Sequence, residues 1–153
     1  MKIDKTQYRT IKELDRLSKM KMGSFNPYGG KILRKDSMLY LVLPYLAVVV
    51  SWPLGASDWQ TVIQYSETSN KEYELVFMDD DSGIDYNFNR FMDLGKKYDE
   101  DISINPDHMK KLLNLFSINK LNPKIVIGNE RLELKASNDD VTIRAVLMGM
   151  RLH

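Results

Sequence analysis

The chain has 153 residues, of which 43% are hydrophobic and 28% are charged, and this is enough for one globular domain with a full core. The absence of cysteine excludes disulfides and thiolate metal sites and fits a reducing compartment, so we expect a cytoplasmic protein. Because the net charge is only +1, binding to nucleic acid requires positive charge that is concentrated on one surface.

The first predicted element is a helix within Ile3–Met22, capped by Asp4 together with Gln7 and ended by Gly23. Its bases recur at helical spacing and fall within an arc of roughly 80°. These bases are Lys5, Arg9, Lys12, Arg16 and Lys19. A separate apolar arc, expected to be buried, contains Tyr8, Ile11, Leu14 and Leu17. The basic arc is typical of a solvated surface, but its alignment also predicts a helix that faces phosphates.

The uncharged segment Met38–Leu54 is short for a membrane-spanning helix and is interrupted by Pro44, so strands are the favoured interpretation. A polar turn is predicted at Arg34–Ser37, and residues 84–101 are predicted to be mostly loop, with a strand within them as the alternative. The strands predicted in this half of the chain are Lys31–Leu33, Met38–Leu43, Tyr45–Trp52, Trp59–Tyr65 and Glu72–Met78.

A second pattern begins at Ile102 with a short strand, followed by Asn105-Pro106 as a helix cap and first turn. The apolar face of this second helix is predicted to contain Met109, Leu112, Leu113, Leu115 and Phe116, with Lys110 and Lys111 off it. The strands that follow are predicted at Lys124–Ile127, Arg131–Ala136 and Val141–Leu152.

Aligning Ile3 with Ile104 places the two caps and the two apolar helix faces in register, which indicates one unit used twice. A chance match between two amphipathic helices is the alternative. We therefore predict an α+β fold in which a strand-helix-three-strand unit is duplicated and both helices lie on one face of the sheets. Residues 1–153 form a single domain, with repeat one at about 1–79, a poorly matched connection at about 80–101 and repeat two at about 102–153.

The segment ISINPDHMKKLLNLF resembles the last short strand and helix of a bacterial DNA sliding clamp, and the ending Ala145–Leu152, AVLMGMRL, resembles the tail of those proteins. Gly149 stands where that tail has proline, and His153 is an additional residue. The resemblance implies a clamp-like domain whose helices line a hole around duplex DNA. It also implies a sequence-independent processivity factor of replication, and the compact size favours a phage source.

The resemblance further implies sites and partners. Duplex DNA would contact the basic arc together with Lys110 and Lys111, and a DNA polymerase or another replication protein would dock a peptide against the tail. The tail residues that match are Met148, Met150, Arg151 and Leu152. Known rings contain six such domains, so a closed ring would need six copies of this chain and we expect a homo-oligomer.

An alternative function comes from residues 112–116, LLNLF, which resemble the peptide through which partners dock into bacterial clamps. If these residues were exposed, the protein would be an interaction protein that binds or inhibits a replication factor such as the host sliding clamp. No enzyme is expected, because neither His108 nor His153 has a nucleophile pattern nearby, and Asp79-Asp80-Asp81 predicts a turn. No cofactor, metal or membrane partner is expected.

Overall fold

The computed structural model describes residues 1–20, 28–94, 102–128 and 130–149. The strands are β1 (Lys2–Ile3), β2 (Leu33–Lys35), β3 (Met38–Leu43), β4 (Leu46–Ser51), β5 (Gln60–Glu67), β6 (Tyr73–Asp79), β7 (Lys124–Gly128), β8 (Arg131–Ser137) and β9 (Thr142–Met148). The helices in these ranges are α1 (Lys5–Ser18), α2 (Asn89–Met92) and α3 (Pro106–Ile118). The fold is therefore mixed α and β, as predicted.

All nine strands form one antiparallel sheet in the order β1-β6-β5-β2-β3-β4-β9-β8-β7. The meander β2-β3-β4 and the meander β7-β8-β9 meet where β4 pairs with β9. The hairpin β5-β6 extends the sheet beyond β2, and β1 pairs with β6 at that end.

Local capping determines where the two long helices begin. The carboxylate of Asp4 accepts a hydrogen bond from the Gln7 amide at 2.7 Å, and the Gln7 side chain accepts one from the Asp4 amide at 3.0 Å, which confirms the predicted capping box. Asn105 caps α3 in the predicted way, through the amides of residues 107 and 108. Helix α1 ends at Ser18, earlier than predicted, and Gly23 lies outside the described residues.

The main core lies between the sheet and the helices α1 and α3. Alternate residues of the central strands point to this side, because successive side chains of a strand face opposite sides of the sheet. These core residues include Leu39, Leu41, Val48, Val50, Ile143 and Ala145. The helices contribute the buried residues Ile11, Leu14, Leu17, Leu112, Leu115 and Phe116. Both long helices therefore lie on one face of the sheet.

A second cluster covers the opposite face of the sheet, which we call the outer face. The connection after β6 is mostly loop in its described residues, as predicted, but it also contains the short helix α2 and packs on Val42, Ala47 and Val146 from this side. The residues that it buries are Tyr86, Phe88, Met92 and Leu94. The central strands are thus buried on both faces, which explains why the uncharged segment around them resembles a membrane span. Within the described residues, no helix is long and apolar enough to cross a membrane.

The predicted strand at Lys31–Leu33 and the predicted turn at Arg34–Ser37 are wrong by two residues. Strand β2 runs from Leu33 to Lys35, and Arg34 is only 6% exposed. The buried guanidinium of Arg34 donates to the Leu54 carbonyl at 2.7 Å and also to three other oxygens, and it lies 4.6 Å from the centre of the Phe77 ring. These partners compensate for the loss of hydration, which is why a charged residue is tolerated there.

A buried side-chain hydrogen bond joins the two long helices. The Asn119 amide, at the end of α3, donates to the Thr10 hydroxyl and to the Leu115 carbonyl, both at 2.9 Å. Thr10 is fully buried and its hydroxyl donates to the Thr6 carbonyl, so its remaining acceptor position is served by Asn119.

Asn119→Ala should lower the free energy of unfolding by about 1 to 2 kcal/mol, because it leaves two buried oxygens without a donor. Urea unfolding measures this difference. Asn114→Ala, on the exposed side of the same helix, is the matched control and should change stability by less than about 0.5 kcal/mol. Equal effects of the two substitutions would contradict the role assigned to the contact between the helices.

Candidate nucleic-acid interface

The predicted basic arc of α1 lies on the solvent side of the helix. All five of its residues are exposed, namely Lys5, Arg9, Lys12, Arg16 and Lys19. The opposite side of α1 is buried against the sheet, as predicted, with Tyr8 only partly buried. We call the five exposed bases the helix-face stripe.

Two members of the helix-face stripe are paired with acids of the same helix. Arg16 lies 3.3 Å from Glu13, whose side chain is only 5% exposed, and Lys19 lies 3.0 Å from Asp15. Among the described residues, no carboxylate lies within 4.0 Å of the charged groups of Lys5, Arg9 or Lys12. The unpaired charge therefore lies between Lys5 and Lys12, toward the N-terminus of α1.

The position of this unpaired charge adds to the potential of the helix itself. The N-terminus of a helix carries a partial positive charge, and bases placed there are unfavourable by a few tenths of a kcal/mol. The first turn of α1 has no acidic residue, although the capping residue Asp4 precedes it. The Asp4 carboxylate already accepts the Gln7 amide at this end, so attraction for phosphate comes from the exposed side chains of Lys5, Arg9 and Lys12 and not from the end of the helix.

The side of α1 near β5 is held by a charged hydrogen bond. The Tyr65 hydroxyl donates to the Asp15 carboxylate at 2.6 Å. Burial raises the pKa of Asp15, but the hydrogen bonds from Tyr65 and Lys19 and the charge of Lys19 outweigh it, so the pKa lies below its ordinary value. Burial and the bond to Asp15 raise the pKa of Tyr65 to about 12. This pair could not be predicted from the sequence, because the two residues are far apart in the chain.

The two lysines predicted on the second helix contribute less exposed positive charge than the helix-face stripe does. Lys110 is exposed and Lys111 is half-buried, while Leu113, which was predicted to be in the apolar face, is 40% exposed beside Lys110. Burial and the charge of Lys111 lower the pKa of His108. The exposed surface of α3 is therefore mixed in character, and the continuous basic surface belongs to α1.

The tail is described only in part. Met148 is 39% exposed, whereas Met150, Arg151 and Leu152 lie outside the described residues. The backbone contacts of Gly149 do not permit proline at this position. Its amide donates to the Glu130 carbonyl at 2.7 Å, and a Cβ atom at this position would lie 2.9 Å from the same oxygen. Proline would lose that hydrogen bond and meet the oxygen.

The segment LLNLF does not form an accessible peptide. Leu112, Leu115 and Phe116 are at most 1% exposed because they form the buried face of α3. In the predicted acidic turn, Asp80 accepts hydrogen bonds from Tyr86 at 2.6 Å and from Ser82 at 3.0 Å, and the Tyr86 bond contributes most to lowering the pKa of Asp80. The described part of the chain contains no group of three His, Cys, Asp or Glu side chains placed to hold a metal.

Comparison of the chain with protein-family models, with curated proteins and with solved structures finds no match. The functional interpretation therefore depends on the position and chemistry of the residues described above.

Tyr65→Phe should destabilise the protein by about 1 kcal/mol at pH 7, because Asp15 loses its hydroxyl donor. The folded-state pKa of Asp15 is lowered, so this contribution is present above about pH 4 and disappears as the pH falls through the folded-state pKa. Urea unfolding from pH 7 to pH 3 should show the difference shrinking.

Tyr73→Phe is the control for this measurement, because the Tyr73 hydroxyl makes only a long, exposed contact of 3.4 Å with Glu67. A difference for Tyr65→Phe that is constant over this pH range would show that the Asp15 carboxylate is not the partner that matters.

Proposed function

We propose that this protein is a clamp-like, sequence-independent duplex DNA-binding accessory factor of DNA replication. The observation that carries the proposal is the helix-face stripe, in which all five bases are exposed on one side of α1. From Lys5 to Lys19 such a stripe is about 21 Å long, since a helix rises about 1.5 Å per residue. That length is enough to follow several phosphates of a duplex, which carries one charge per about 1.7 Å.

Binding of this kind would not read sequence. The helix lies flat on the sheet and presents ammonium and guanidinium groups, and contacts of such groups with phosphates position a protein without specifying bases. The stripe is also suited to lasting but mobile contact, because the attraction to phosphates is similar at every position along a duplex.

The clamp-like part of the proposal is supported by topology. The order helix then three-strand meander occurs twice, as α1 with β2-β3-β4 and as α3 with β7-β8-β9. Antiparallel pairing of β4 with β9 relates the two meanders by an approximate two-fold axis, as expected for a duplicated unit. The hairpin β5-β6 has no counterpart in the second half.

Assembly is the third part of the proposal, and the sheet has two ends at which it could occur. At one end, β7 is an edge strand with Ile125 56% exposed. At the other end β1 covers only the first part of β6, and Val76 and Met78 are 38% and 56% exposed. Edges of this kind favour pairing with another chain, so several copies could join edge to edge and surround DNA.

The alternative, an interaction protein that binds the host clamp through LLNLF, has no support from an exposed motif, because three of its residues are in the core. A replication partner such as a DNA polymerase would instead bind this protein near the exposed Met148, since methionine adapts to varied apolar partners.

Replacing Lys5, Arg9 and Lys12 together by Gln should weaken duplex binding at least tenfold, and to all sequences alike. The slope of log K against log salt should become shallower by roughly 0.9 for each phosphate that the variant no longer neutralises. Arg16 is left unchanged, because its removal would leave Glu13 buried without its partner and would confuse stability with binding. Fluorescence anisotropy with two duplexes of unrelated sequence measures both quantities.

The matched control is the triple replacement of Lys35, Lys124 and Lys135 by Gln, which removes the same charge from exposed positions outside α1. Duplex binding should change little in this variant. An equal loss of duplex binding in both variants would show that binding depends only on the net charge of the protein. A wild-type protein that does not bind duplex at low salt would rule the proposal out.

Ile125→Lys should lower the mass of the assembly in solution, because a further charge on this edge strand opposes pairing. Light scattering with and without duplex DNA measures the mass, and six copies is the expectation for a closed ring. Leu113→Lys, an exposed apolar residue on α3, is the control and should not change the mass. A wild-type protein that is monomeric in both conditions excludes encirclement of DNA.

A further inference from the structure

A row of basic side chains crosses the outer face of the sheet, on the side away from α1 and α3. Register places Arg144 of β9 opposite Lys135 of β8, and Lys135 opposite Lys124 of β7. Ile143 and Ala145 point into the main core, so Arg144 between them points to the outer face, and the same alternation applies to Lys135 beside Leu134. We call Arg144, Lys135 and Lys124 the outer-face row.

This arrangement is unfavourable for the isolated sheet. Like charges directly opposite each other on neighbouring strands repel, since the strands are only about 4.8 Å apart. Arg144 is compensated by Glu133, whose carboxylate lies 2.7 Å away. Within the described ranges, Lys135 and Lys124 have no carboxylate within 4.0 Å. An anion bound along the row would supply the missing compensation.

The outer-face row leads into a groove of about 560 Å³ that is lined by both basic side chains and aromatic rings. Tyr40 and Val49 continue the same register beyond Arg144, so the groove begins where the row ends. Its aromatic wall is formed by Tyr40, Trp59, Tyr86 and Phe88. Tyr40 stacks on Phe88 with a distance of 4.2 Å between ring centres, and Trp59 packs against both rings while staying half-exposed.

The charge of this groove has one sign. The charged residues that line it are Lys35, Lys135 and Arg144, and none of the described lining residues is acidic. The ammonium group of Lys35 lies 5.5 Å from the centre of the Trp59 ring. A neighbouring groove shares Lys135 and adds Lys120 and Lys124, with Glu133 as its acidic member. The two grooves meet at Lys135 and form one path along Lys35, Lys135, Lys124 and Lys120, with Arg144 paired to Glu133 beside it and aromatic rings at one end.

We propose that the outer face binds single-stranded nucleic acid, with phosphates along the outer-face row and a base against Trp59. A positively charged path with an aromatic platform is the arrangement by which proteins hold single strands without reading sequence. A duplex cannot use this surface as a single strand does, because its bases are stacked inside and cannot reach a recessed ring. This surface is separate from the helix-face stripe, which lies across the sheet from it.

The test uses fluorescently labelled dT12, which has no base pairing, and the full chain. Replacing Lys35, Lys124 and Lys135 by Gln should weaken binding of dT12 at least tenfold and reduce the salt slope by roughly 0.7 for each phosphate that is no longer neutralised. Replacing Lys5, Arg9 and Lys12 by Gln removes the same charge from the helix face and should leave dT12 binding within twofold of wild type. The outer-face variant should also melt at a slightly higher temperature in low salt, because repulsion within the row is relieved.

Tryptophan fluorescence provides a second readout at the groove. Trp52 is 3% exposed in the main core, whereas Trp59 lines the groove, so quenching by unlabelled dT12 should come from Trp59. Trp59→Phe should abolish most of the quenching while the anisotropy signal still reports binding.

Three results would overturn the proposal. The first is that the outer-face variant binds dT12 as tightly as the wild-type protein does. The second is that the helix-face variant loses as much affinity for dT12 as the outer-face variant does. The third is that a glutamate peptide of the same charge displaces labelled dT12 as effectively as unlabelled dT12 does. The last result would assign the surface to acidic peptides. Loss of duplex binding is measured separately on the helix-face variant, so failure of the proposed clamp function and failure of this inference give different results.

Discussion

The pairing of β4 with β9 is the contact on which the rest of the structure depends. Six residue pairs, from Leu46 with Leu147 to Ser51 with Thr142, join the two meanders into one sheet. On one side of this pair lies the core beneath α1 and α3, and on the other lies the cluster formed by the connection after β6. Without this pairing, neither helix would have a continuous surface to pack on. The basic side chains of the helix-face stripe and of the outer-face row would also have no fixed position relative to each other.

Features that depend on near neighbours in the chain were predictable. The capping box at Asp4, the cap at Asn105 and strand β3 follow from side chains within a few residues, and all three occur where they were predicted. The burial of Arg34 was not predictable, because its oxygen partners include Leu54 and Gln60, which the fold brings to it. The short helix α2 was missed for the same reason, since Met92 is its one buried residue and is buried only because the outer face lies beneath it.

The two candidate surfaces also differ in whether they could be predicted from the sequence. The helix-face stripe could be found from the sequence, because one helix places its members at regular spacing. The outer-face row could not be found, since Lys124, Lys135 and Arg144 come from three strands and only the register aligns them. Gly149 is a similar case, because its need for an amide hydrogen and for the absence of Cβ comes from the Glu130 carbonyl across a turn.

Burial of the central strands on both faces also determines how the native state opens. Amide hydrogens between β4 and β9 can exchange with solvent only if both packed layers separate, so their exchange should follow global unfolding. Strand β7 and the two-residue β1 lie at the ends of the sheet and can separate from it while the centre remains closed. The ends of the sheet are therefore the parts that open most easily, and Lys124, which lies on β7, would then separate from Lys135 and Arg144 of the outer-face row.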